Sequence, residues 1–192
     1  MQSRHTIAVE VDNTPGVLSR VTGLFSGRGY NIESLCVAET MDPAVSRITL
    51  VSVGEPQIIE QIIKQLHKLI NVIKVTDLSE MPHVEREMAL VRVKAEDKSR
   101  AEVLRIADIF RCRVVDVSAT TYTLEITGNH EKIEAVLGLL KLHGIQEVVR
   151  SGTLAIQRSK KEYPLLAFGF IRSYLTENWR SPDAGAHCII QQ

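Results

Sequence analysis

The feature that most constrains this chain is a change of hydrophobic period that occurs in one order, twice. Apolar residues alternate, then fall at helical spacing, alternate through two further stretches, turn helical again and alternate once more. In residues 5–11, Ile7, Val9 and Val11 alternate with Ala8 and Glu10, as in a strand with one buried face. Asp12-Asn13-Thr14-Pro15-Gly16 breaks the pattern, with Thr14 suited to an N-cap and Pro15 to the first helical position. Val17, Leu18, Val21, Leu24 and Phe25 then make one apolar stripe, which ends at Gly27-Arg28-Gly29. Residues 31–40 and 46–53 read as strands around the Met41-Asp42-Pro43-Ala44 turn, because proline cannot sit inside a ladder. Gly54-Glu55-Pro56 opens a helix with Ile58, Ile59, Ile62, Ile63, Leu66 and Leu69 on one face, and residues 71–78 form a fourth strand.

The same order returns after a loop around Met81-Pro82-His83. Residues 88–94 alternate, Ser99 and Glu102 have capping-box spacing, and the next helix carries Val103, Leu104, Ile106, Ala107 and Phe110. Residues 112–118 and 121–127 read as a hairpin. Asn129 caps a helix with Ile133, Val136, Leu137 and Leu140, closed by Gly144. Residues 145–149 and 153–157 form a last strand, interrupted at Arg150-Ser151-Gly152 by a bulge or turn. The expectation is an α+β protein of two tandem βαββαβ ferredoxin-like domains, residues 4–79 and 83–158. Residues 159–192 differ: five of the nine aromatic residues fall there, and both an amphipathic helix over 163–179 and an unordered tail fit the pattern.

Composition narrows the function. Lys plus Arg and Asp plus Glu both total 23, and a net charge of zero counts against nucleic-acid binding. The longest apolar run noted, residues 165–171, is far short of the roughly 20 residues that a bilayer span needs. The first residues run into a strand without a signal-peptide core, and three scattered cysteines lack a C-x-x-C pair. A reduced, cytoplasmic protein without disulfides is expected. The six histidines are dispersed, and there is no G-x-S-x-G, Walker loop or H-E-x-x-H. Neither a catalytic nor a metal site is expected in this chain.

Two corners could carry binding. Asn13-Thr14-Pro15-Gly16-Val17-Leu18 places free backbone N–H groups at a helix N-terminus, which favours a carboxylate. Gly16 leaves room for close approach, and the Asn13 amide offers a donor and an acceptor to a zwitterion. On residue types alone, a capped turn with Asn13 in an Asx turn is the simpler reading of the same residues. Gly29-Tyr30-Asn31-Ile32 is the second corner, where Asn31 reads either as a ligand or as a turn asparagine.

The strings Asp12–Val21 and Arg28-Gly29-Tyr30-Asn31-Ile32-Glu33-Ser34-Leu35 resemble the ACT domain of the acetolactate synthase (acetohydroxyacid synthase) small regulatory subunit. Similar matches are Lys64-Gln65-Leu66-His67-Lys68-Leu69, His83-Val84-Glu85-Arg86-Glu87, Ile109-Phe110-Arg111 with Asp116-Val117, and Arg150-Ser151-Gly152. The resemblance spans roughly residues 4–158. It implies a regulatory subunit of branched-chain amino-acid biosynthesis, with no active site or cofactor of its own. Its partner is a catalytic subunit carrying thiamine diphosphate, FAD and magnesium. It also implies a homodimer through ACT domains, with valine at the interface, activation of the catalytic subunit and feedback inhibition. Carried over, the effector contacts are Asn13, Gly16, Val17, Leu18 and Ser19 from one copy, with Asn31 and Ile32 from the other. Residues 83–158 are expected to contact the catalytic subunit or the partner copy. The other reading is an ACT-type amino-acid sensor for a different metabolic enzyme.

Overall fold

The computed structural model describes residues 3–96 and 99–159. The expected tail helix over 163–179 lies outside the described residues. The first half runs β1 (Ser3–Asp12), α1 (Val17–Ser26), β2 (Ser34–Glu39), β3 (Val45–Gly54), α2 (Pro56–Leu66) and β4 (Val72–Asp77). The second runs β5 (His83–Lys94), α3 (Arg100–Ile109), β6 (Arg113–Val117), β7 (Thr121–Gly128), α4 (His130–Lys141), β8 (Ile145–Arg150) and β9 (Leu154–Gln157). Each half builds an antiparallel sheet, ordered β2-β3-β1-β4 and β6-β7-β5-β8, as two ferredoxin-like units in tandem.

Alternation decides what each sheet buries. Ile7, Val9 and Val11 of β1 and Ile48 and Leu50 of β3 meet Val17, Val21 and Phe25 of α1 and Ile59, Ile62 and Leu66 of α2. In the second half, Ala89, Val91, Val93, Leu124 and Ile126 meet Val103, Ile106 and Ala107 of α3 and Ile133, Val136 and Leu140 of α4. The helical stripes are narrower than expected. Ile58 and Leu104 are 38% and 39% exposed, and Leu69 lies beyond the end of α2.

Several local expectations change. The N-cap of α1 is Gly16, in the left-handed region at φ +87°, and no side chain caps that helix. Thr14 and Pro15 therefore stand before the helix, because a glycine alone makes the sharp entry at no steric cost. The capping box at Ser99 and Glu102 does not form; the Ser99 hydroxyl donates to the Glu96 carbonyl at 3.1 Å. Asn129 does cap α4, accepting the Lys132 N–H at 3.2 Å.

The last strand is two strands. Gly152, at φ +84°, turns the chain so that β8 pairs with residues 89–93 of β5 while β9 pairs with His83 to Arg86. β5 thus begins five residues earlier than its alternation suggested, and its first stretch with β9 makes a two-stranded arm. The arm lies on the face of the first sheet opposite α1 and α2: Ala155 packs with Ala8 and Leu78, and Arg47 donates to the Ala155 carbonyl at 3.1 Å. Residues Met1–Arg158 form one compact unit.

Candidate functional site

The chain between β1 and α1 is fixed by backbone bonds. Asn13 N–H donates to the Ala44 carbonyl at 2.7 Å, and Thr14 N–H to the Asp12 carbonyl at 2.9 Å. Asn71, just before β4, ties the corner down, since its amide donates to Asp12 Oδ2 at 3.0 Å while its own Oδ1 accepts from Arg20. The clamp that Asp12, Arg20 and Asn71 make together does not show in the sequence, because a polar clamp that closes between residues far apart has no local pattern.

This corner leaves donors free. Val17 N–H reaches the Thr14 carbonyl at 3.4 Å and Arg20 N–H the Gly16 carbonyl at 3.1 Å. Among the described residues, the N–H groups of Gly16, Leu18 and Ser19 have no acceptor. The first turn of α1 also holds no acidic side chain. Exposed, uncapped donors at the positive end of a helix favour a negative group the size of a carboxylate.

The expected contacts play different parts. Leu18 is 41% exposed and Ser19 is exposed, so both face outward at the corner. Val17 is 4% exposed and belongs to the core, which leaves only its backbone for a ligand. Asn13 is committed on one side: its Nδ2 donates to the Pro43 carbonyl at 2.9 Å and to Glu39 Oε1 at 3.2 Å. Its Oδ1 remains as an acceptor, beside the Glu39 carboxylate. The donor role foreseen for this amide is therefore already filled within the chain.

Asn31 and Ile32 sit elsewhere. The Asn31 carbonyl accepts the Ser52 hydroxyl at 2.7 Å, and its side-chain amide has no partner among the described residues. Ile32 packs against the first core. Both precede β2, whereas Asn13 touches Glu39 at its far end. At about 3.3 Å per residue along a strand, the six residues of β2 alone keep the two corners roughly 20 Å apart. One chain cannot bring both to the same small ligand.

Two other features lie outside this corner. A cleft of about 620 Å³ between the open face of the first sheet and the arm is lined by Cys36, Ala38, Arg47, Val84, Leu154 and Ile156 among others. At the junction of the halves, Arg150 grips Glu87 with two hydrogen bonds of 2.5 and 2.9 Å and reaches Glu134 at 2.7 Å. The Arg150 guanidinium holds the Glu87 carboxyl below the usual carboxylate range against the opposing effect of burial. Among the described residues no group of three or more His, Cys, Asp or Glu is placed to hold a metal ion, and no helix is long and apolar enough to cross a membrane.

Comparison with known proteins is consistent over both halves. Residues 7–74 match the family described as "AHAS small subunit-like ACT domain", and residues 86–159 the family "Small subunit of acetolactate synthase". The chain is 50% identical over 156 residues to the acetolactate synthase small subunit of Aquifex aeolicus, covering 81% of each chain. It is 48% identical to that of Haemophilus influenzae over 82% of this chain and 98% of the other. The crystal structure of the small subunit from Thermotoga maritima superposes with a TM-score of 0.74 at 40% identity, over 82% of this chain and 99% of that one. With both halves matched in order and half of the 156 aligned residues shared with one relative, this chain belongs to the family of acetolactate synthase small subunits, regulatory chains built on ACT domains.

Proposed function

We propose that residues 4–79 form an effector-binding ACT domain, that two copies pair through it, and that valine sits in the seam. On this reading residues 83–158 serve the contact with the catalytic subunit. The chain activates that subunit, which carries the thiamine diphosphate, FAD and magnesium, and confers feedback inhibition on it. The setting is the cytoplasm.

One observation carries the proposal: the corner with free N–H groups stands at one end of the edge strand β2, and the unpartnered Asn31 amide at the other. Antiparallel pairing of β2 with β2 of a second copy lays the end of one strand against the start of the other. Asn13, Gly16, Leu18 and Ser19 of one copy then face Asn31 and Ile32 of its partner. The carboxylate meets the free N–H groups, the ammonium meets Asn13 Oδ1 and the Asn31 amide, and the isopropyl group lies against Leu18 and Ile32.

The energies suit a metabolite sensor. A carboxylate at a helix N-terminus contributes about 0.3–1 kcal/mol, or about 2 when partly buried. Burying an isopropyl group adds about 1.5–3 kcal/mol, and hydrogen bonds from the ammonium about 1.5–3 kcal/mol each. After ordering costs, affinity falls between about micromolar and millimolar.

Calorimetry with valine on Gly16→Asp and Gly16→Asn tests this. Both side chains tolerate the left-handed backbone that position 16 needs, so only charge separates them. The aspartate variant is expected to lose valine binding while the asparagine variant keeps a measurable affinity. Wild-type affinity in Gly16→Asp overturns the site. In Asn31→Ala the expected result is an unchanged melting temperature with inhibition of the holoenzyme lost.

A further inference from the structure

Beyond the effector site itself, the structure shows how the start of β2 is fastened to the second half of the chain. Ser34, three residues after Asn31, points away from the first core, and its hydroxyl accepts the Thr153 N–H at 2.9 Å. Thr153 is 2% exposed, and its own hydroxyl accepts from Arg4 Nη2 at 3.2 Å. Arg4 also lies 3.9 Å from Glu33 and 3.6 Å from Glu85, so one guanidinium spans both halves. At Gly152 a β-carbon would come within 3.0 Å of Ser34 Oγ and 3.2 Å of the Leu35 carbonyl. The turn approaches β2 closely enough that a side chain at position 152 would crowd it.

On its other side the turn is stiff. Ser151 exchanges two hydrogen bonds with Met88: its N–H donates to the Met88 carbonyl at 2.9 Å, and its hydroxyl accepts the Met88 N–H at 3.0 Å. Arg150 is locked to Glu87 on β5 and Glu134 on α4. Residues 150–153 thus move with the second half, while their contact with β2 is made at two or three atoms.

From these contacts we infer that Ser34, with the Gly152–Thr153 turn and Arg4, passes the state of the effector site at Asn31 and Ile32 to residues 83–158. This rests on the seam reading given above. A shift of about half an ångström at the start of β2 takes the Ser34–Thr153 bond past normal hydrogen-bond length. A buried N–H left without an acceptor is costly, so the turn follows β2 instead of letting go. Since the turn is rigid on β5 and α4, the second half follows the turn. Effector binding and the placement of the second half are then linked, and each biases the other equally. Ser34 acts as a positioning residue: it touches no effector.

The test uses the complex with the catalytic subunit. Ser34→Ala removes the acceptor, and Ser34→Thr retains a hydroxyl. For Ser34→Ala the expected result is wild-type valine affinity of the chain alone by calorimetry and full activation of the complex, with the inhibition that saturating valine produces reduced several-fold. Ser34→Thr is expected to restore part of the response. Because loss of a buried bond can unfold a variant, hydrogen exchange of residues 150–158 in the wild-type chain gives a second readout, and valine is expected to slow it. Normal inhibition in Ser34→Ala, or valine heat without any change in exchange there, overturns the link and leaves the effector site standing. No valine heat in the wild-type chain overturns the seam reading, and this inference with it.

Discussion

β2 and β6 are the second strands of the same βαββαβ pattern, and each forms an edge of its sheet. β2 pairs with β3 in unbroken register from Ser34 to Glu39. β6 pairs with β7 through a register shift between Val114 and Asp116, which twists the edge and spoils it as a template for another strand. The helix entries differ in the same direction. α1 starts from Gly16 with donors uncovered and no acidic residue in its first turn. α3 carries Glu102 in its first turn, and Arg100 fills that corner by donating to the Ala95 and Ala119 carbonyls and stacking on Tyr122 at 5.9 Å. One topology therefore serves two ends. In the first half the edge is regular and the helix entry carries no acidic side chain, and in the second the edge is broken by a register shift and the entry carries Glu102 and Arg100.

The contrast can be broken at several points. The largest effect is expected at Arg150→Ala, which leaves the Glu87 carboxylate buried at 4% side-chain exposure with its partner gone. A loss of about 3 kcal/mol by urea denaturation is expected, and a loss under about 0.5 kcal/mol places the pair among ordinary surface contacts. The same pair sets a pH dependence. Glu87 titrates below its unfolded value because Arg150 donates to it, so its contribution is complete above about pH 4.3 and disappears as pH falls toward the folded pKa. Acid titration of Glu87→Gln is expected to lack that component.

Next comes the edge itself. Val37→Lys places a charge in the middle of β2, and Val115→Lys places one in the middle of β6. Sedimentation is expected to show the first weakening self-association by tenfold or more, about 1.4 kcal/mol, and the second leaving it unchanged. Equal effects of the two substitutions erase the distinction between the edges. The smallest pair concerns helix entry. Asn129→Ala removes a cap and is expected to cost about 1 kcal/mol in thermal unfolding. Thr14→Ala is expected to cost almost nothing, because Thr14 caps no helix.

Much of this architecture was legible in the sequence, and the reason is local. A period of two or of 3.6 is written within a dozen residues, so the ten-residue β1 and α1 show in the residues that compose them. The sequence suggests an α1 entry two residues too early, since Thr14-Pro15 carries the usual capping chemistry and only the backbone angle at Gly16 shows where the helix begins. Arg150-Ser151-Gly152 was visible as an interruption, but not as the point where one strand becomes two. The turn owes its shape to Met88, Glu87 and Ser34, at sequence separations of 63 and 119 residues. At the corner between β1 and α1 the residue types point to a carboxylate, while the prior engagement of Asn13 Nδ2 by Glu39 and Pro43 has no sequence sign. The fastening of β2 to the second half was invisible for the same reason: Arg4 and Thr153 lie 149 positions apart.

β5 has one consequence for how the molecule comes apart. Its first four residues pair with β9 over the first sheet, and its remainder is the inner strand of the second sheet between β7 and β8. A single rod of backbone thus has one end seated on each half, and cutting the connection at residues 79–82 does not free two separate bodies. The severed pieces would stay together through Ala8, Leu78 and Ala155, and parting them would uncover those three side chains at once. The backbone of that strand runs unbroken from residue 83 to residue 94, so no loop separates the part over the first sheet from the part inside the second.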